Sequence, residues 1–352
     1  MKRKRVTARL SILVLVLGMV AAACSSTTDD AGTTTTTGDA GGSDFQAAII
    51  TGTAGLGDKS FNDSANAGLQ RAADELGIKA VVIESAQNSD FEPNLDQAPR
   101  QGNDIAFAIG FQMVDAVTVA AENNPDMFYG IVDAKSDAPN VASLLFREEQ
   151  GSFLVGVVAG LMTKSNQIGF IGGLEIPLIK KFEVGFRAGV MSVNPDAVVS
   201  VNYAGDFGDP ARGKEIAISQ YSSGVDVIFH AAGGTGLGLF QAAIEQGPGA
   251  WAIGVDADQL ALAPDNVLTS MMKRVDIAVF DTIKAAVEGN FTGGPQVFGL
   301  AEGGVGLSPT SSTNTPADVI AKAEAFAAQI IAGDIVVPTN DDELASFTPP
   351  SP

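Results

Sequence analysis

Histidine, cysteine and tryptophan each occur once in these 352 residues. A lone His230 and a lone Cys24 cannot make a Cys/His zinc cluster or a disulfide, and any Ser/His/Asp or Cys/His catalytic site would have only His230 to use. Positive charge is scarce too, with 21 Lys plus Arg against 41 Asp plus Glu and a net charge of −20. The basic surface that phosphate backbones require is therefore missing, which argues against nucleic-acid polymers as partners. The apolar run at the amino terminus, Leu10 to Ala23, falls short of the roughly 20 residues needed to cross a bilayer. What is present is core material: 45% hydrophobic residues and 18% charged, with 40 glycines, which excludes wholesale disorder. At roughly 100–200 residues per domain, the length suits two lobes.

Lys2, Arg3, Lys4, Arg5 and Arg9 precede the apolar run, so residues 1–23 read as a signal peptide. The run ends in Ala21-Ala22-Ala23-Cys24, placing the cysteine where a bacterial lipoprotein is cleaved and acylated. The segment resembles a lipobox, with Ala21 where a larger aliphatic residue is usual; the alternative is ordinary secretory cleavage with an incidental cysteine. Residues 24–45 would then be the lipidated Cys24 and a flexible Thr-, Gly- and Asp-rich tether, unable to bury a core. The expected location is the outer face of the cell membrane, by lipid anchor.

From Ala47 onward, β-branched runs alternate with amphipathic stretches. Strands are expected at 47–51, 80–84, 105–109 and 127–132, with helices at 62–76 and 114–123 between them. In the first helix Leu69, Ala72, Ala73 and Leu76 share one face, and Gly77 supplies the stop. The alternation restarts after Gly151, with strands at 168–171, 198–203, 225–230 and 252–255 and helices at 181–193, 210–222 and 237–245. This pattern predicts an α/β protein of two doubly wound lobes. A helix at 316–332 would finish the second lobe, and residues 347–352 read as an unstructured end within a tail of 338–352.

Two glycine-rich motifs fail. Gly233 to Gly238 has no frame with glycines at positions 1, 3 and 6 of a dinucleotide loop, and Gly208 to Lys214 is followed by Glu215 where a P-loop needs Ser or Thr. No cofactor, metal site or catalytic group is expected. His230 closes an apolar strand and reads as a hydrogen-bonded core or edge residue. What remains is a set of polar and aromatic residues at strand ends, where open α/β sheets bind small molecules. They include 58–63, Asp133, Asp206-Phe207, Gly233-Gly234, Asp256 to Gln259, and Lys273.

At these residues the chain resembles the basic membrane protein family of ABC-transporter substrate-binding lipoproteins, in which the purine nucleoside receptors fall. The resemblance rests on GDKSFN (57–62), FREEQGSFLVGVVAG (146–160), FEVGFRAG (182–189), DVIFHAAGGTG (226–236), IGVDADQ (253–259) and SMMKRVD (270–276), and spans residues 46–337. It implies a type I periplasmic-binding-protein fold, two doubly wound α/β lobes joined by three crossovers. The first lobe would hold 46–150 plus about 275–306, the second 151–274 plus about 307–337. The implied function is nucleoside binding between the lobes for an ABC permease. By the same resemblance Phe61 would stack on a purine, with Phe182 or Phe207 as the second aromatic, and Asn62 would bond the base edge. Asp133 and Asp256 would take ribose hydroxyls, Gly233 and Gly234 would lie beside the ligand, and Lys273 would bridge ribose oxygens and Asp256. Gly52 stands where the family has an aspartate that helps read the base, so base identity stays open.

Residue chemistry agrees with these roles, since a carboxylate accepts two hydrogen bonds from vicinal hydroxyls and an aromatic ring offers a stacking face. Phe182 and Phe207 equally suit a core, and Asp133 equally suits a helix cap. A sensor component or a nucleoside hydrolase are the other functional classes. The Asp256–Asp258 pair is too thin for a hydrolase's calcium or acid/base cluster.

Overall fold

The computed structural model describes residues 44–350. The signal peptide, Cys24 and all of the tether but its last two residues lie outside the described residues.

The first half of the chain runs β1 (Gln46–Ile50), α1 (Phe61–Leu76), β2 (Lys79–Ile83), α2 (Phe91–Arg100), β3 (Ile105–Ile109), α3 (Val114–Asn123), β4 (Phe128–Val132) and β5 (Val141–Phe146). It continues with α4 (Glu148–Met162), β6 (Gln167–Gly172), α5 (Pro177–Val193), β7 (Val198–Tyr203), α6 (Pro210–Ser222), β8 (Val227–Ala231), α7 (Leu237–Gln246), β9 (Trp251–Asp256) and β10 (Val267–Lys273). Last come α8 (Val275–Val287), β11 (Gly294–Phe298), β12 (Val305–Leu307), α9 (Ala317–Ala332) and α10 (Asp341–Ser346).

Two six-stranded sheets result, in the orders β11-β5-β4-β3-β1-β2 and β12-β10-β9-β8-β6-β7. Every described pairing is parallel except β10 with β12. Because strand side chains alternate, each sheet feeds two apolar layers. Ile49, Phe107 and Ile109 face the layer shared with α1 and α8, while Ala48, Ile50 and Tyr129 face that under α2 and α3. The sheet order requires the chain to pass between the layers three times, after β5, after β10 and after β11. These passes are laced together, as Arg147 N donates to Phe298 O at 3.0 Å and Arg274 N to Gly304 O at 2.8 Å.

α1 begins one residue before its expected start and stops at Gly77, whose φ of 68° is the left-handed C-cap that glycine adopts without strain. α4 carries no legible period, since Phe153, Leu154, Val155, Val157 and Val158 are all buried. It lies against α5 so closely that a Cβ on Gly156 would sit 2.2 Å from the Phe186 carbonyl oxygen. Within the tail of 338–352 the chain forms a last helix and then runs on without regular structure from Phe347. α10 buries Leu344, its Asp341 pairs with Arg187 at 3.2 Å, and the Phe347 ring packs edge-on 6.4 Å from that of Phe153. The apolar payload of one leucine and one phenylalanine is enough to fold the segment back.

Candidate functional site

Between the sheets, at the carboxyl ends of their strands, is a cavity of about 680 Å³ of atom-free space, open solvent at its mouth included. The first lobe contributes the loop after β1 (Gly52, Thr53, Ala54, Asp58), the start of α1 (Phe61, Asn62), the loop after β3 (Gly110, Phe111, Gln112) and Asp133 after β4. The second contributes Leu178, Ile179 and Phe182 of α5, Phe207 after β7, Ala232 and Gly233 after β8, Asp256 ending β9 and Lys273 ending β10.

Eight of the nine residues expected at the site thus line one cavity: Phe61, Asn62, Asp133, Phe182, Phe207, Gly233, Asp256 and Lys273. Gly234 is not among them; it is buried behind, where a Cβ would stand 3.3 Å from the Phe207 carbonyl oxygen. His230 is buried, its Nε2 3.0 Å from Gln259 Oε1, and burial drops its pKa to about 4, so it stays neutral in the core.

Asp133 and Asp256 both adopt positive φ, 69° and 64°. Aspartate is among the few side chains that visit this region, and holding it there costs of order 1–3 kcal/mol, characteristic of ligand clamps. The two carboxylates flank one buried ammonium. Lys273 Nζ donates to Asp133 Oδ1 and Oδ2 at 2.6 and 2.7 Å and lies 3.2 Å from Glu148 Oε1. Its charge also lies 5.2, 5.0 and 5.6 Å from the ring centres of Phe61, Phe146 and Phe182. Burial alone would lower the lysine pKa, but Asp133, Glu148 and Asp256 outweigh it and hold the pKa above the ordinary value. Lys273 hydrogen-bonds Asp133 and pairs with Glu148, and makes no hydrogen bond to Asp256 in the described structure. Glu148 stands in the run Arg147-Glu148-Glu149-Gln150, where nothing sets it apart from its neighbours, and only its place at the start of α4 makes it a partner.

Asp256 accepts a hydrogen bond from Ser60 Oγ on Oδ2, a link between the lobes, and its side chain lines the cavity with no protein hydrogen bond on Oδ1. Burial raises its pKa to about 7; Lys273 and Ser60 oppose the rise, and Asp58 and Asp133 add to it. Burial likewise lifts Asp133 to about 6, against the pull of Lys273, so the ion pair persists at neutral pH.

Asp58 acts as the cap of α1 although Ser60 occupies the N-cap position. It accepts from the N–H of Ser60, Asn62 and Asp63 at 3.0, 2.8 and 3.1 Å and from Asn62 Nδ2 at 3.0 Å. Asn62 Oδ1 in turn accepts from Gly52 N at 3.0 Å. Gln259 Nε2 donates to the Lys59 carbonyl at 2.9 Å, a second link across the cleft.

Two aromatic-bearing lobes closing on a polar floor at strand ends describe a binding cleft. Residues 45–341 match the family model described as Bmp, ABC transporter substrate-binding protein PnrA-like. The chain belongs to the Bmp family. A "CD4+ T-cell-stimulating antigen" of Listeria monocytogenes is 44% identical over 316 residues, covering 84% of this chain and 88% of that protein. The "ABC transporter nucleoside-binding protein BmpA" of Lactococcus lactis is 39% identical over 318 residues, covering 84% and 90%. Among solved structures, an ABC transporter solute-binding protein from Aeropyrum pernix superposes with a TM-score of 0.76 at 32% identity, over 86% of this chain and 96% of that one. As a Bmp-family member this chain is the extracytoplasmic substrate-binding component of an ABC transporter, with a small-molecule ligand and a permease partner, and is not an enzyme. Among the described residues no helix is long and apolar enough to cross a membrane.

Proposed function

We propose that the ligand is a nucleoside, delivered to the permease by a receptor held at the membrane through lipid on Cys24. The observation that carries the ligand class is one cavity combining aromatic rings from both lobes with an uncommitted carboxylate oxygen, Asp256 Oδ1. Phe61 stacks on one face of the heterocycle and Phe207, the more exposed of the two second-lobe rings, on the other; Phe182 stays with Lys273. Asp256 Oδ1 accepts a ribose hydroxyl, Gly233 lies beside the sugar, and Asn62 meets the base. Asp133 and Lys273 act as a pair that fixes the floor of the cleft and sets its charge. With Asp58, Asp133, Glu148 and Asp256 around a single buried lysine, the site is net negative, which favours an uncharged nucleoside over a nucleotide. The name of the Lactococcus lactis relative supports the same class.

Calorimetry and thermal shift of the mature protein against nucleosides, nucleoside monophosphates, sugars and amino acids test this. A nucleoside at about 100-fold excess over Kd should stabilise the fold by roughly 2.7 kcal/mol. The monophosphate should bind more weakly, and no free base should form. Stabilisation by a sugar or amino acid and by no nucleoside refutes the ligand class. Labelled palmitate entering the wild type and not Cys24→Ala supports the anchor; equal labelling refutes it.

A further inference from the structure

Gln259 stands beside the cleft without lining its cavity, and its amide can lie only one way round. Val255 N–H can only donate, and it meets Gln259 Oε1 at 2.8 Å, so Nε2 is the atom 2.9 Å from the Lys59 carbonyl oxygen. The same Oε1 lies 3.0 Å from His230 Nε2, which must therefore carry the ring proton. His230 Nδ1 is then bare and buried, without a hydrogen-bond partner among the described residues. Gln259 N donates to Ser270 Oγ at 3.1 Å, and a Cβ on Gly254 would sit 2.6 Å from Gln259 Oε1. All of these restraints come from the second lobe, so the amide is aimed before the lobes meet.

Its acceptor in the first lobe is fixed as well. Lys59 has a φ of 53°, a region lysine rarely adopts, and its N–H donates to Asp63 Oδ2 at 3.1 Å. Two other contacts across the cleft, Ser60 with Asp256 and Lys273 with Asp133, use carboxylates that line the cavity. The link from Gln259 to Lys59 uses no cavity residue; both side chains line a separate groove with Asp63 and Arg274.

The geometry points to Gln259 as a positioning residue that latches the cleft: its preset amide holds the lobes closed through the Lys59 carbonyl and sets how long a ligand stays, without touching the ligand. Since neither end lines the cavity, the latch works in the free protein too and does not distinguish one ligand from another. Opening returns both ends to water, so the latch is worth one neutral hydrogen bond, about fivefold in the ratio of closed to open forms. The inference is independent of the nucleoside reading, and nucleosides serve only as probes.

Dissociation rates and Kd values for adenosine and guanosine, with small-angle scattering of the free protein, test this in wild type, Gln259→Glu and Gln259→Leu. The measurements are made at pH 9 to ionise the introduced carboxyl. Gln259→Glu keeps an oxygen for Val255 and His230 and replaces only the donor, setting a carboxylate oxygen against the Lys59 carbonyl. It should speed dissociation about fivefold or more, widen the scattering radius of the free protein, and leave the ratio of the adenosine and guanosine Kd values unchanged. Gln259→Leu should do the same, whereas a residue that merely packs the second lobe would tolerate Glu and not Leu. Wild-type dissociation and radius in Gln259→Glu, or an altered Kd ratio, overturn the inference. If neither variant folds, nitrogen NMR of the wild type decides it, because His230 is the only histidine in the chain. Nε2 should carry the proton and Nδ1 none; the opposite tautomer turns the Gln259 amide away from Lys59 and overturns the latch. If no nucleoside binds the wild type, the nucleoside reading falls and scattering decides the latch alone, an unchanged radius overturning it.

Discussion

Replacing Asp256 by asparagine should make the unliganded protein more stable while weakening its ligand binding. The carboxyl is buried and its pKa is raised from 3.8 to about 7, chiefly by desolvation. A raised folded-state pKa means that the folded chain holds its proton more tightly than the unfolded one. This group's contribution is therefore fully favourable below pH about 4 and is lost as pH rises to about 7, then flat. At about 1.36 kcal/mol per pH unit the loss is of order 4 kcal/mol by pH 8. Asparagine keeps an oxygen for Ser60 Oγ and removes the titration. Glu149 and Asp133 titrate in the same window but are common to both proteins, so they largely cancel in the difference. Denaturant midpoints and melting temperatures of wild type and Asp256→Asn at pH 4.5, 6, 7 and 8 read the effect directly. The variant's advantage should grow from near zero in acid to a plateau above pH 7. A pH-independent difference, or a wild type that gains on the variant as pH rises, refutes the assignment of a destabilising buried carboxylate.

Lys273→Met removes the cation and leaves Asp133 and Glu148 buried without it, a loss of about 3–5 kcal/mol. Denaturation at two pH values should show a smaller loss at pH 5 than at pH 8, since without Lys273 to lower its pKa the buried Asp133 carboxyl takes up a proton in acid; equal losses would contradict the ion-pair account. Gly156→Ala drives a methyl to 2.2 Å from the Phe186 carbonyl and forces α4 from α5, costing about 1–3 kcal/mol or more. An unchanged melting temperature would mean the helices separate freely. Truncation after Pro338 removes Leu344, Phe347 and the Asp341 pairs, and should lower the melting temperature by several degrees without abolishing ligand binding.

How far the sequence speaks for the structure depends on whether an element has two unlike faces. α1 and α3 cover one side of a sheet, so their periodicity and the Gly77 stop are readable almost to the residue. α4 is buried on all sides and shows no stripe, and α2 carries Pro93 and Pro99, which argue locally against a helix. β11 and β12 are short strands at sheet edges, specified by the crossovers they complete more than by their own composition. At the site, the strand-end polar residues stand out because a polar group just after an apolar run serves neither the core nor the strand ladder. The partners that decide their roles do not stand out: Glu148 joins Lys273, and Ser60 joins Asp256 across 196 positions of sequence. Only the folded chain reveals that Asp58 is a helix cap with no acceptor to spare. It reveals equally that both Asp133 oxygens bond Lys273.

The central claim, that this cleft retains a nucleoside, is tested most directly by mass spectrometry of what the protein holds. The mature protein is equilibrated with a mixture of nucleosides, nucleotides, sugars and amino acids, washed, denatured, and the released small molecule weighed. Release of a nucleoside from wild type, with much less from Asp256→Asn, is the result the account predicts. Retention of a sugar, an amino acid or a nucleotide in its place, or equal retention of nucleoside by the variant, would contradict it.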